Sequence, residues 1–99
     1  MNSPAPLMRL DEAERSYWAL LVALRHGTWS SLDNLMACQV CRDLAFLEGL
    51  AREYPDAPFI ADTCRRAHEG LRRLKLDRGM IFTRRSPQAK IVHAILAGV

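Results

Sequence analysis

Two pairs of residues in this 99-residue chain combine metal-ligand chemistry with a suitable spacing, Cys38-x-x-Cys41 and Cys64-x-x-x-His68. Thiolate and imidazole both bind zinc, and a step of three or four residues sets both members of a pair on one face of a helix. To share one ion the two pairs must also meet in space. If the chain folds back at Pro55 to Pro58, Cys41 lies about thirteen residues before the turn and Cys64 about seven after it. At 1.5 Å per residue the offset is roughly 9 Å, whereas ligands of one zinc lie within about 4 Å of each other. The cysteines are therefore expected to pack as small hydrophobes, and no metal or other cofactor is expected. Three cysteines cannot all pair within one chain, so free thiols are expected.

Catalytic chemistry finds no better footing. His26, His68 and His93 are scattered, and no serine or cysteine has a neighbouring base. Glu69 follows His68 directly and so points to a different azimuth of any helix. Neither a glycine-rich phosphate loop nor a paired-carboxylate motif is present, and the chain is not expected to be an enzyme.

Arginine carries the clearest signal. From Arg65 to Lys90 there are nine basic residues, Arg65, Arg66, Arg72, Arg73, Lys75, Arg78, Arg84, Arg85 and Lys90, against Glu69 and Asp77, a net +7. The first 64 residues hold five basic and nine acidic residues and sum to −4, so the overall +3 conceals a dipole. A charge cluster of this kind steers partners of opposite sign and says little about fold. A planar guanidinium holds a carboxylate bidentately, which suits an acidic protein surface. The same side chains neutralise phosphates, so DNA or RNA is the alternative partner. Against nucleic acid, no aromatic residues interleave with Arg65 to Arg78, and Gly79 to Ser86 is too long for the turn of a helix-turn-helix. A solvated helix face is the plainest reading of the same run.

The elements that must position these residues are helices. Asp11 followed by Glu14 reads as a capping box, and Tyr17, Leu20, Leu21 and Leu24 give a stripe, widened by Trp18 and Val22, that ends near His26 and Gly27. Arg25 and His26 then sit at a negative helix end, where His26 serves as a cap. A second helix starts near Ser30 or Ser31, with Asp33 completing its cap, and runs to Tyr54. Its apolar ladder is Leu32, Leu35, Met36, Val40, Leu44, Leu47, Leu50, Ala51 and Tyr54, with Phe46 off it. Gly49 inside this helix costs about 1 kcal/mol relative to alanine and points to a close neighbour or a kink. Pro55 to Pro58 makes a stop and restart. The third helix sets Phe59, Ile60, Thr63, Cys64, Ala67, Leu71 and Leu74 against an outer side of Asp62, Arg65, Arg66, Glu69, Arg72 and Arg73, with Gly79 closing a rod that reaches Arg78. Met80 to Arg85 breaks the periodicity. Ser86-Pro87 caps a fourth helix to about Ala97.

These signals predict an all-α four-helix domain over residues 11–99 with helices two and three as an antiparallel hairpin, preceded by a flexible lead-in over residues 1–10 in which Met1 to Pro6 make no core contacts. The longest uncharged apolar run, Tyr17 to Leu24, falls far short of the roughly 20 residues of a membrane span, so no membrane partner is expected. The amino terminus lacks the pattern of a signal peptide, which makes cytoplasmic residence the expectation. A chain this short buries little surface, and a homodimer is expected over a monomer.

Four segments, Ala23-Leu24-Arg25-His26-Gly27, Leu44-Ala45-Phe46-Leu47-Glu48-Gly49-Leu50, Ala67-His68-Glu69-Gly70-Leu71 and Arg78-Gly79, stand in an order that resembles a group of small, largely uncharacterised helical accessory proteins of proteobacterial phages and plasmids. The resemblance implies a mobile-element protein that works by binding and blocking a host protein, and it carries no site residue with it. On both grounds the expected function is a non-enzymatic interaction module, an inhibitor or regulator, with Arg65, Arg66, Arg72, Arg73, Arg78, Arg84 and Arg85 as its contact residues.

Overall fold

Three capping signals written in the sequence set where helices begin. In the computed structural model Asp11 accepts the backbone amide of Glu14 at 2.8 Å while Glu14 accepts that of Asp11 at 2.8 Å, a complete capping box for α1 (Glu12–Leu24). Ser30 and Asp33 repeat the exchange at 3.0 and 3.2 Å ahead of α2 (Ser31–Glu53). After α3 (Phe59–Arg73), Ser86 accepts from the amide of Ala89 and Pro87 occupies the first turn of α4 (Pro87–Leu96), where its missing N–H is no loss. The structure describes residues 4–25, 27–53, 59–76 and 86–97. Among the described residues these four helices are the regular structure, and no strand occurs.

The helix α2 is the spine. It packs along α1 on one side and α3 on the other, and α4 touches all three. Its contacts with α3 run in opposite directions along the two helices: Asp43 meets Arg66, and Val40, three residues earlier, meets Gly70, four residues later. This is the antiparallel hairpin. The core is closed by Tyr17 and Leu21 of α1, Cys38, Cys41 and Leu44 of α2, Leu71 of α3 and Val92 of α4, all buried.

Four expectations are corrected. Leu32 and Leu35, placed on the inner ladder, are 69% and 44% exposed; the inner face at this level is built from Asn34, Ala37, Cys38 and Cys41, whose smaller side chains are buried. Of the two readings of Gly49, a close neighbour is not found among the described residues, whereas a Cβ on Gly70 would come within 2.5 Å of Val40 Cγ2. The close approach of α2 to α3 is therefore made at Gly70. The third helix does not reach Arg78 as a rod. It ends at Arg73 in a Schellman motif, with the Lys75 amide bonded to the carbonyl of Arg72 and the Leu76 amide to that of Leu71, and Lys75 takes the left-handed φ of 63°. Leu71 and Leu76 bury the hydrophobic contact that accompanies this turn.

The fourth correction concerns the lead-in. Residues 4–10 do make core contacts: the amide of Asn34, itself buried, donates to the carbonyl of Ala5 at 2.8 Å and accepts from the N–H of Leu7 at 2.8 Å. The indole of Trp18 donates to the carbonyl of Pro4 at 3.2 Å, and Leu10 is buried. An asparagine in the core is stable only when both ends of its amide are bonded, and this strap satisfies them. His26, Tyr54 to Pro58, Gly79 and Met80 to Arg85 lie outside the described residues, as do the side chains of Ala51 and Phe59.

Candidate docking surface

The outer side of α3 follows from helical arithmetic. With Thr63, Ala67 and Leu71 buried against the bundle, positions 62, 65, 66, 69, 72 and 73 are turned to solvent. Arg65, Arg66, Arg72 and Arg73 are all exposed there. Arg78, Arg84 and Arg85 lie outside the described residues. Together with His68 and Glu69, three of the arginines, Arg65, Arg72 and Arg73, line a shallow concavity of about 410 Å³.

The four arginines differ in what already holds them. Arg65 bonds Asp62 one turn earlier, and Arg73 bonds Glu69 at 2.6 Å; both are solvent-exposed pairs on one helix. Such pairs contribute about 0.2–1 kcal/mol and exchange readily. Arg72 has no ion pair among the described residues. Arg66 is committed elsewhere: its Nε and Nη2 donate to the two carboxylate oxygens of Asp43 at 3.0 and 2.8 Å. The Asp43 side chain is 5% exposed and lies on α2, where Gln39 supplies a further bond at 3.2 Å. Asp43 holds the Arg66 guanidinium above its ordinary pKa through these hydrogen bonds and its charge. Arg66 is thus a clamp between helices. Helical periodicity assigns it to the docking surface, because the carboxylate it serves lies on another element. The available signal was Asp43 itself, an acid set between Val40, Leu44 and Leu47 on a buried face.

The three thiols are free. Cys38 and Cys41 are buried in the core, Cys64 is half-buried, and none is in a disulfide. Burial, then the neighbouring Cys38 and Glu14, push the Cys41 thiol well above its ordinary range, and burial raises Cys64 as well, so neither is primed as a thiolate. Among the described residues no three of the histidines, cysteines and acids come together as a metal set. No helix is long and apolar enough to cross a membrane among the described residues.

At the other end of α1 a third arginine-centred cluster is structural. Arg25 bonds Asp33 at 3.1 Å and lies 4.7 Å from the ring centre of Trp29, which in turn packs on Trp18. This joins the cap of α2 to the end of α1. Asp33 is held below its ordinary pKa first by the backbone and hydroxyl of Ser30 and then by Arg25. On the outward side of α2, Phe46 is 51% exposed, as its place off the ladder implies, while Leu32 and Leu35 stand exposed against the periodicity. Comparison with family models, with curated proteins and with solved structures found no match to this chain.

Proposed function

We propose that the chain is a non-enzymatic protein-interaction module, a small inhibitor or regulator encoded by a mobile element, that docks on an acidic surface of a host protein through Arg65, Arg72 and Arg73. The observation that carries this reading is Arg72, exposed and without an ion pair among the described residues, flanked by two guanidinium groups whose own pairs are weak. A carboxylate arriving at the concavity finds three forks within two turns of one rigid helix. The acids on the same face argue for protein over nucleic acid: Asp62 and Glu69 repel a continuous phosphate backbone, while a protein surface of mixed charge accommodates them. Self-association belongs to the same reading, supported by the exposed apolar residues of α2.

Fluorescence anisotropy of an oligoglutamate peptide and of a mixed-sequence DNA duplex, each titrated with wild type and with Arg72→Glu/Arg73→Glu, tests the proposal. The expected result is peptide binding that the double variant loses, matched by loss of a host partner in affinity capture. Tight duplex binding with a steep salt dependence replaces the protein reading by the nucleic-acid one. An unchanged partner set for the variant removes the α3 surface from function altogether.

A further inference from the structure

Between α2, α3 and α4 the described residues form an apolar cleft of about 230 Å³. Helical spacing builds its walls: Ile60 and Cys64 stand one turn apart on α3, Ile91 and Ala94 one turn apart on α4, and α2 closes the side with Leu47 and Glu48. An apolar cavity of about 150 Å³ walled by aliphatic side chains takes up a benzene ring. The cleft therefore has room for one ring and a short arm, and it is smaller than the roughly 300 Å³ from which drug-sized ligands are held. It shares no residue with the concavity on the outer side of α3 and stands whether or not that surface docks on anything.

Glu48 is the charged member of this lining. It is half-buried and in no ion pair among the described residues, although Arg52 follows one turn later on the same helix. A carboxylate at an apolar wall is costly unless a partner completes it. Beside it on the core side lies the Tyr17 hydroxyl, which is fully buried and makes no hydrogen bond of normal geometry. Burial first, and then the charge of Glu48, hold that phenol well above its ordinary pKa. It is a neutral neighbour and leaves the negative charge uncompensated.

We propose that the cleft binds a small primary amine, with its ammonium on the Glu48 carboxylate and its apolar body, one ring and a short arm in size, against Leu47, Ile60 and Ile91. The ammonium supplies both things that Glu48 lacks, an opposite charge and N–H donors, and a charge-assisted bond of this kind is about twice as strong as a neutral one. An alcohol of the same shape fills the cleft and leaves the charge unmatched. A carboxylate of the same shape is repelled by Glu48.

Isothermal titration of the full chain at neutral pH with 2-phenylethylamine, 2-phenylethanol and 3-phenylpropanoate is the test, because the three share a ring and a short arm and differ in the charge of the head. The expected result is amine binding about tenfold tighter than the alcohol, with the acid weakest. Glu48→Gln should bring the amine to the level of the alcohol. Ala94→Trp, at an exposed rim position, should set an indole across the cleft and abolish both, each variant being compared after circular dichroism has shown wild-type helicity. Cys64 reports the place of binding. Cys38 and Cys41 are buried, so iodoacetamide reaches Cys64 first, and saturating amine should slow its alkylation several-fold by mass spectrometry. Equal affinity for the three heads overturns the proposal, as does an amine preference that survives Glu48→Gln or binding that leaves Cys64 alkylation unchanged. So does the absence of amine binding up to about 10 mM, a weak limit for a ligand of this size. Protection of Cys64 that grows with protein concentration and needs no amine gives the cleft to a second copy of the chain instead.

Discussion

Arg66→Ala takes away the guanidinium that holds the buried carboxylate of Asp43. Two hydrogen bonds, at 3.0 and 2.8 Å, disappear, and Gln39 at 3.2 Å is left on an acid whose side chain is 5% exposed. Breaking a wholly buried ion pair by removing one partner costs about 3–5 kcal/mol. Arg66 is itself 62% exposed, so water enters where its head was and restores part of the solvation. The expected loss is roughly 2 kcal/mol. With a urea slope of about 1 kcal/mol per molar, the unfolding midpoint falls by about 2 M. Asp43→Ala should cost a similar amount, and the double variant only about 2.5 kcal/mol, leaving a coupling of about 1.5 kcal/mol. Urea unfolding followed by far-ultraviolet circular dichroism measures all four corners of the cycle. A coupling below about 0.5 kcal/mol would refute the clamp, because two groups that act independently add.

Three further outcomes come from single positions. Lys75→Gly should stabilise the fold by about 1 kcal/mol in thermal or urea unfolding, since glycine takes the φ of 63° without the steric cost that lysine bears, less the entropy glycine gains when unfolded; no change would mean that the turn after Arg73 tolerates lysine freely. Gly70→Ala should destabilise by about 1–2 kcal/mol because its Cβ would stand 2.5 Å from Val40 Cγ2, and Val40→Ala in the same chain should recover part of the loss. Asp33 is held below its ordinary pKa in the folded state, so its contribution is present above the unfolded value near 4 and is lost as pH falls through the lower folded value. The stability difference between wild type and Asp33→Asn, followed by urea titration at stepped pH, should therefore shrink as the medium is acidified below about pH 4; a difference that does not change with pH would remove Asp33 from the linkage.

What could be read from sequence was local, and what could not was relational. Asp11 with Glu14, Ser30 with Asp33 and Ser86 with Ala89 each complete their bonds within four residues, so their helix starts follow from the chain alone. The orientation of α2 is different in kind. In its first turns this helix has two sets of helical spacing, one of Leu32 and Leu35 and one of Ala37, Cys38 and Cys41, and periodicity does not rank them. The larger side chains favoured the first. Close helix packing favoured the second, because small residues let the neighbouring backbones approach. The end of α3 misled in a similar way: Gly79 attracts a helix stop, yet the left-handed residue is Lys75, which only the buried pairing of Leu71 with Leu76 makes worthwhile. Of the expected contact arginines, exposure on α3 was legible from the same periodicity. The commitment of Arg66 was not, because it depends on which residue of another helix comes alongside.

That distinction bears on how the α3 surface can act. The ion pairs of Arg65 with Asp62 and of Arg73 with Glu69 lie on one solvent-exposed helix face, and giving up both costs at most about 2 kcal/mol. An incoming carboxylate cluster can exchange with Asp62 and Glu69 at little net cost, while Arg66 stays bound to Asp43 and keeps the helix rigid beneath it. Docking of this kind replaces one set of carboxylates by another, so few counterions are released and affinity falls only gently with salt. Phosphate binding by the same residues releases condensed counterions, and affinity then falls by about one power of salt for each contact. The slope of a salt titration thus separates the two partners on physical grounds, independently of how tightly either one binds.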